Sequence, residues 1–146
     1  MARYFTLEQA SRLLPEVDRL LRGAVEARAL YGDAETAFSA LQSRIQTMGG
    51  VSVDRESVRQ LQESRTAAAR SLGKWLQAFT ELGVQVKDLD TGLVDFPTLY
   101  RGEEVLLCWK LGEAAIGYWH GVEDGFRGRK QIDSAFLSQH RGSAEQ

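Results

Sequence analysis

VDRLLRGAVEARALYGDAETAFSALQSRIQTM, residues 17–48, decides how the chain is read. Val17, Leu20, Ala24, Ala27, Tyr31, Ala34, Phe38, Leu41, Ile45 and Met48 fall at alternating steps of three and four. That is an unbroken heptad seam and predicts a single helix about 50 Å long. Leu21, Val25 and Leu30 widen the stripe beyond a two-stranded seam. The surplus apolar surface is expected to meet another helix, either the short first one or one of a second subunit. Gly23 and Gly32 each cost about 1 kcal/mol relative to alanine inside a helix. With Ala24, Ala27 and Ala34 nearby, close backbone approach is the expected reason for them.

Toward the N-terminus, TLEQ sets Gln9 three residues after Thr6, the spacing of a capping box. Pro15 then removes a backbone donor and crowds the preceding turn, which predicts a short first helix and a kink or restart. Toward the C-terminus, MGGVSVD interrupts the seam. Gly49 and Gly50 suit a helix end and Asp54 suits the cap of the next helix. Val58, Leu61, Arg65, Ala68, Leu72, Trp75, Phe79 and Leu82 repeat the three-and-four spacing, so two long helices should fold back as an antiparallel hairpin. Arg65 is the one charge on that seam. Either Ser64 takes the inward place or Arg65 snorkels outward, or else Arg65 forms a buried or intersubunit ion pair with an acid such as Glu35.

After Gly83 the period changes to two. VQVKDL reads as a half-exposed strand, DLDTG as a turn, LVDFP as a short extended run, and EEVLLCW as a strand after the YRG turn. AAIGYWH follows the KLGE turn and reads as a further strand, because two aromatics and Gly117, with Gly121 just beyond, suit a helix poorly. The expected fold class is therefore α+β: a short N-terminal helix, a long coiled-coil-like antiparallel hairpin, and a small antiparallel β-sheet module. The expected boundaries are 1–83 for the helical part, 84–133 for the β-rich module packed on it, and 134–146 for a polar, flexible tail.

Two blocks carry a family resemblance. YFTLEQASRLLPEVDRLL (4–21) is one; VKDLDTGLVDFP (86–97) followed by LCWKLGEAAIGYWHGVEDGFRGR (107–129) is the other. Together they resemble a family of small bacterial proteins known as domain of unknown function 2203. The resemblance spans nearly all of Tyr4 to Lys130. It implies a bacterial or archaeal setting and the same helix-then-sheet order, and it carries no catalytic residue.

Composition narrows the chemistry. A formal charge of −2 argues against non-specific binding to nucleic acid or acidic membranes. One cysteine permits no internal disulfide, and no stretch has the apolar length of a membrane span, so a cytoplasmic protein is expected. Asp88, Asp95, Glu113 and His120 are candidate ligands for a divalent metal. His120 is also the candidate catalytic base, because HGVED sets Glu123 and Asp124 on its face if one helical turn forms there. Arg127, Arg129 and Lys130 in GFRGRK are candidate anion binders, weighed against internal pairing with Glu113, Glu123 and Asp124. If Val105–Trp109 pairs with Ala115–His120, Cys108 lies opposite about Gly117 and His120 opposite about Val105. Three strand steps, about 10 Å, would then part them, leaving Cys108 as a small core hydrophobe.

The function preferred from sequence is an oligomeric interaction or scaffold protein, a homodimer through the hairpin, whose C-terminal module docks a protein partner or small anion. The alternative is a small metal-dependent enzyme or metal-binding protein centred on His120 and the nearby carboxylates.

Overall fold

The computed structural model describes residues 3–47 and 54–143. Met48 and the expected helix stop at Gly49 and Gly50 lie outside them. Helix α1 spans Leu7–Thr47 and α2 spans Arg55–Leu82. An antiparallel sheet follows, with β1 at Gln85–Asp88, β2 at Leu93–Tyr100, β3 at Glu103–Lys110, β4 at Tyr118–Gly121 and β5 at Lys130–Gln131. The chain continues through α3 at Ser134–Gln139 into β6 at His140–Arg141. The strand order is β1-β2-β3-β4-β5, with β6 also pairing to β2. This is the expected α+β arrangement.

The caps read from sequence form. Gln9 accepts from the Thr6 N–H while Thr6 Oγ1 accepts from Gln9 N–H, which closes the capping box. Asp54 accepts from Glu56 N–H at the start of α2, and Gly83 ends it at φ 82°, a left-handed position that a side chain would strain. Pro15 does not divide the first helix: α1 runs through it. Pro15 stands on the exposed side, while Val17, Leu20, Leu21 and Ala24 are buried immediately beyond it. Burying that face in continuous helix outweighs one missing backbone bond.

Close approach explains one helical glycine of the two. A Cβ on Gly23 would come within 2.5 Å of the Trp75 indole of α2, whereas at Gly32 the nearest atom is the flexible end of Arg28. Gly23→Ala should lower stability by about 1 kcal/mol, overpacking exceeding the gain in helix propensity. Urea denaturation tests this; a variant more stable than wild type would contradict the contact.

The wide stripe is covered by the sheet rather than by a further helix. Val17, Leu21 and Ala24 share one core cluster with Phe79, Val94, Phe96, Leu107 and Trp109. Farther along the hairpin, Phe38 is buried while Leu30 stays 57% exposed. Ser64 is exposed and does not take the inward place, while Arg65 combines outward reach with a half-exposed pair inside the chain. It is half-exposed, stacks on the Phe38 ring at 4.3 Å and reaches Glu35 at 3.5 Å.

Residues 134–143 of the segment expected to be a flexible tail are folded. Phe136 of α3 is 1% exposed and packs among Tyr100, Trp119 and His140, with ring centroids 4.9–5.3 Å apart. β6 pairs Leu99 with Arg141 and Tyr100 with His140. Between β1 and β6, the edge of β2 is filled by the N-terminal segment, whose Phe5 N–H donates to Pro97 O at 2.7 Å. Pro97 therefore turns its donorless side away from β3 and costs no bond of that ladder. His140 Nε2 accepts from Leu7 N–H and Nδ1–H donates to Leu137 O, so the imidazole caps the start of α1. No helix among the described residues is long and apolar enough to cross a membrane.

Candidate functional site

Alternation along the strands sorts their side chains onto two faces. Val94, Phe96, Leu107 and Trp109 enter the core shared with the helices. Asp95 of β2, Leu106 and Cys108 of β3, and His120 of β4 share the other face, by the pairings Asp95↔Cys108 and Leu106↔His120. Asp95, Cys108 and His120 are all buried, at most 4% exposed. They form the floor of a cleft of about 250 Å³, walled by Lys87, Leu93 and the 122–126 loop.

One oxygen, one sulfur and one nitrogen of Asp95, Cys108 and His120 lie within 4.8 Å of one another. This overturns the expected separation of Cys108 from His120. AAIGYWH is not a strand throughout: β4 begins at Tyr118, and Ile116 drops into the core instead. The register moves by one residue, so Cys108 pairs with Tyr118 and His120 with Leu106. That change brings the two side chains from three steps apart on opposite faces to two steps apart on the same face.

The imidazole is held at both nitrogens. Nδ1 lies 2.8 Å from Gly121 O and Nε2 lies 3.0 Å from Asp95 Oδ1. A carbonyl oxygen only accepts, so Nδ1 carries a proton. Nε2 and Oδ1 then face each other lone pair to lone pair unless a further positive charge sits between them. Burial raises the Asp95 carboxyl above its ordinary range, and the neighbouring His120 opposes that rise. The Cys108 thiol is pushed up to about 12, first by burial and then by the Asp95 charge. As a free thiol it is therefore no nucleophile near neutral pH.

The other sequence candidates fall in three groups. Glu123 and Asp124 line the cleft but do not hydrogen-bond the imidazole: the chain leaves β4 in a turn, with Asp124 N–H donating to Gly121 O, and no helical turn forms. Of the proposed metal ligands, Asp95 and His120 converge, while Asp88 and Glu113 are engaged elsewhere. Asp88 accepts from Asp90 N–H, which lowers its carboxyl, and Glu113 is held by both Arg129 and the Lys110 N–H. Of the anion candidates, Arg129 is spent on Glu113 in a two-oxygen contact and lies 3.9 Å from the centroid of Tyr118. Lys130 lies over Trp119 at 4.8 Å, and Arg127 is exposed. Cys108 is the residue sequence reasoning missed. Its signal was a lone acid, Asp95, inside the apolar LVDFP strand, one face away from its hydrophobic neighbours.

No curated protein and no solved structure matches the chain. The model of one family, described as uncharacterized conserved protein (DUF2203), matches residues 3–132. The chain belongs to that family.

Proposed function

We propose that Asp95, Cys108 and His120 bind a transition-metal ion, zinc in the first instance, and that the protein is a metal-dependent enzyme or binding protein acting at the adjoining cleft. The observation that carries this reading is the convergence of three buried ligand atoms: Gly121 O lies 2.8 Å from Nδ1 and orients the ring, and one ligand atom each from His120, Asp95 and Cys108 lie within 4.8 Å of one another. An imidazole oriented by a carbonyl at its second nitrogen is the usual support of a metal-ligating histidine. One thiolate, one imidazole and one carboxylate suit zinc or ferrous iron better than magnesium or calcium. Three protein ligands leave a fourth position, which would face the cleft. There the metal would activate a bound water or polarise a carbonyl. Glu123 and Asp124 at the cleft wall are the nearby groups able to take a proton.

Protein purified without an affinity tag should carry about one equivalent of zinc or iron. His120→Ala should lose it, and Cys108→Ser should bind it at least about tenfold more weakly. Cobalt added to the metal-free protein should give a thiolate-to-cobalt charge-transfer band. Metal-free protein with no such band would reduce the cluster to a buried shared proton.

A second reading keeps the scaffold role for the distal hairpin. Beyond Ala27, Phe38 is the only fully buried side chain of α1 among the described residues, while Leu30 and Ile45 are exposed. Two helices alone leave that apolar edge uncovered, and a second copy would cover it. Light scattering over a dilution series should show a dimer that dissociates; a monomer at all concentrations would end this reading.

A further inference from the structure

A second cleft, of about 620 Å³, adjoins the first and shares Leu93, Gly125 and Phe126 with it. Its far side presents Lys110 and Arg127. Neither cation has an ion-pair partner among the described residues; one acid, Asp88, also lines this cleft, its carboxylate accepting from Asp90 N–H, so the two cations outnumber it there. The shared wall is apolar and open. Phe126 is 44% and Val122 is 52% exposed, two of the five large hydrophobics left at the surface among the described residues, and both stand on the loop that walls the cleft over His120. Exposed apolar side chains gathered at a concave site, with a few charges placed beside them, are the ordinary lining of a small-molecule pocket.

We infer that the two clefts form one binding site for a small organic anion. Its carboxylate or other anionic group would sit between Lys110 and Arg127, its apolar body against Leu93 and Phe126, and its other end over Asp95, Cys108 and His120. The placement of that other end rests on the metal reading; the anion seat stands on Lys110, Arg127 and Phe126 alone. The cations explain the choice of an anion. Arg129 and Lys130, singled out with Arg127 in the same GFRGRK stretch, are occupied by Glu113 and Trp119, so Arg127 is the one left facing a cavity. The ring of Phe126 lies 5.6 Å from Lys110 Nζ and 4.7 Å from the Arg129 guanidinium, and it lines both clefts.

Benzoate is a suitable probe, since it offers one carboxylate and one ring. Titrated into the full chain and followed by backbone amide shifts, it should perturb Leu93, Lys110 and the 125–127 loop. Arg127→Ala should weaken benzoate about tenfold, the effect of one charge-assisted hydrogen bond, and Lys110→Ala with Arg127→Ala should abolish the perturbation. Inorganic phosphate, lacking the ring, should bind more weakly than benzoate. Metal content should stay at wild-type level in both variants, because neither residue touches the ligand set. His120→Ala should lose metal and still bind benzoate, so failure of the metal reading and failure of this one are told apart. Benzoate shifts that are absent from wild type, or unchanged in the double variant, would overturn the inference.

Discussion

Phe136→Ala should lower the stability of the protein by about 4 kcal/mol, the cost of removing a fully buried phenylalanine ring. The ring is sealed between Tyr100 of β2, Trp119 of β4 and His140, each within 5.3 Å centroid to centroid. Its loss leaves a cavity walled by rigid aromatics that cannot close over it. It also frees α3, and with it two further ties: the β6 pairing to β2, and the His140 cap on the first turn of α1. A loss of this size is a large fraction of the roughly 5–15 kcal/mol that holds a domain folded. Urea denaturation gives the number, and Phe126→Ala supplies the control. Phe126 is the same residue type on an exposed loop and should change stability by less than about 1 kcal/mol. Equal losses in the two variants would mean that residues 134–143 are not docked on the sheet.

Alkaline pH should selectively destabilise the metal-free protein through Cys108. The folded state holds this thiol protonated up to about 12, against 9.0 for a free thiol. Between those values the folded chain binds the proton that the unfolded chain has released. Stability therefore falls as pH rises through that window, by about 4 kcal/mol in full and about 2 kcal/mol by pH 10.5. Cys108→Ala has no thiol to ionise and escapes this loss; Asp95, the carboxyl coupled to Cys108, titrates from the acid side and adds little between pH 8 and pH 10.5. Measured by urea denaturation after chelation, the stability gap between wild type and Cys108→Ala should move by about 2 kcal/mol toward the variant from pH 8 to pH 10.5. In zinc-loaded protein the sulfur is already a thiolate ligand, so the same comparison should show no such movement. A gap independent of pH in metal-free protein would mean that Cys108 is not buried beside Asp95. An identical alkaline loss with zinc added would remove Cys108 from the ligand set.

The site was half legible. Asp95 and His120 are two of the four metal-ligand candidates that the residue types suggest, and both are in the cluster. Cys108 was set aside because the hairpin was assumed to start pairing at Ala115. Nothing in AAIGYWH says that Ile116 leaves the strand for the core, and pairing by one residue more or less reverses which face a side chain occupies. The partner of His120 was sought in the next turn of chain, at Glu123 and Asp124. It came instead from β2, 25 residues earlier, because a neighbouring strand stands closer than the next loop residue. The GFRGRK cations divided for a similar reason: Arg129 found Glu113 across the sheet, while Arg127 stayed on the loop.

By itself the sequence determined whatever depends on neighbours in the chain. The three-and-four spacing made two helices, their short connection made a hairpin, and Thr6, Gln9, Asp54 and Gly83 set three of the helix ends. Alternation after Gly83 made strands. These are local effects, fixed by backbone hydrogen bonds and by which face of a short segment is apolar. The tertiary structure decided what depends on distant segments meeting. Burial against the sheet carried α1 through Pro15, a single buried ring docked residues 134–143, and the β3–β4 register brought sulfur, oxygen and nitrogen together at 108, 95 and 120. Each of these rests on a balance of burial summed over many residues, and a one-residue change of register, invisible to local periodicity, is enough to make or unmake the site.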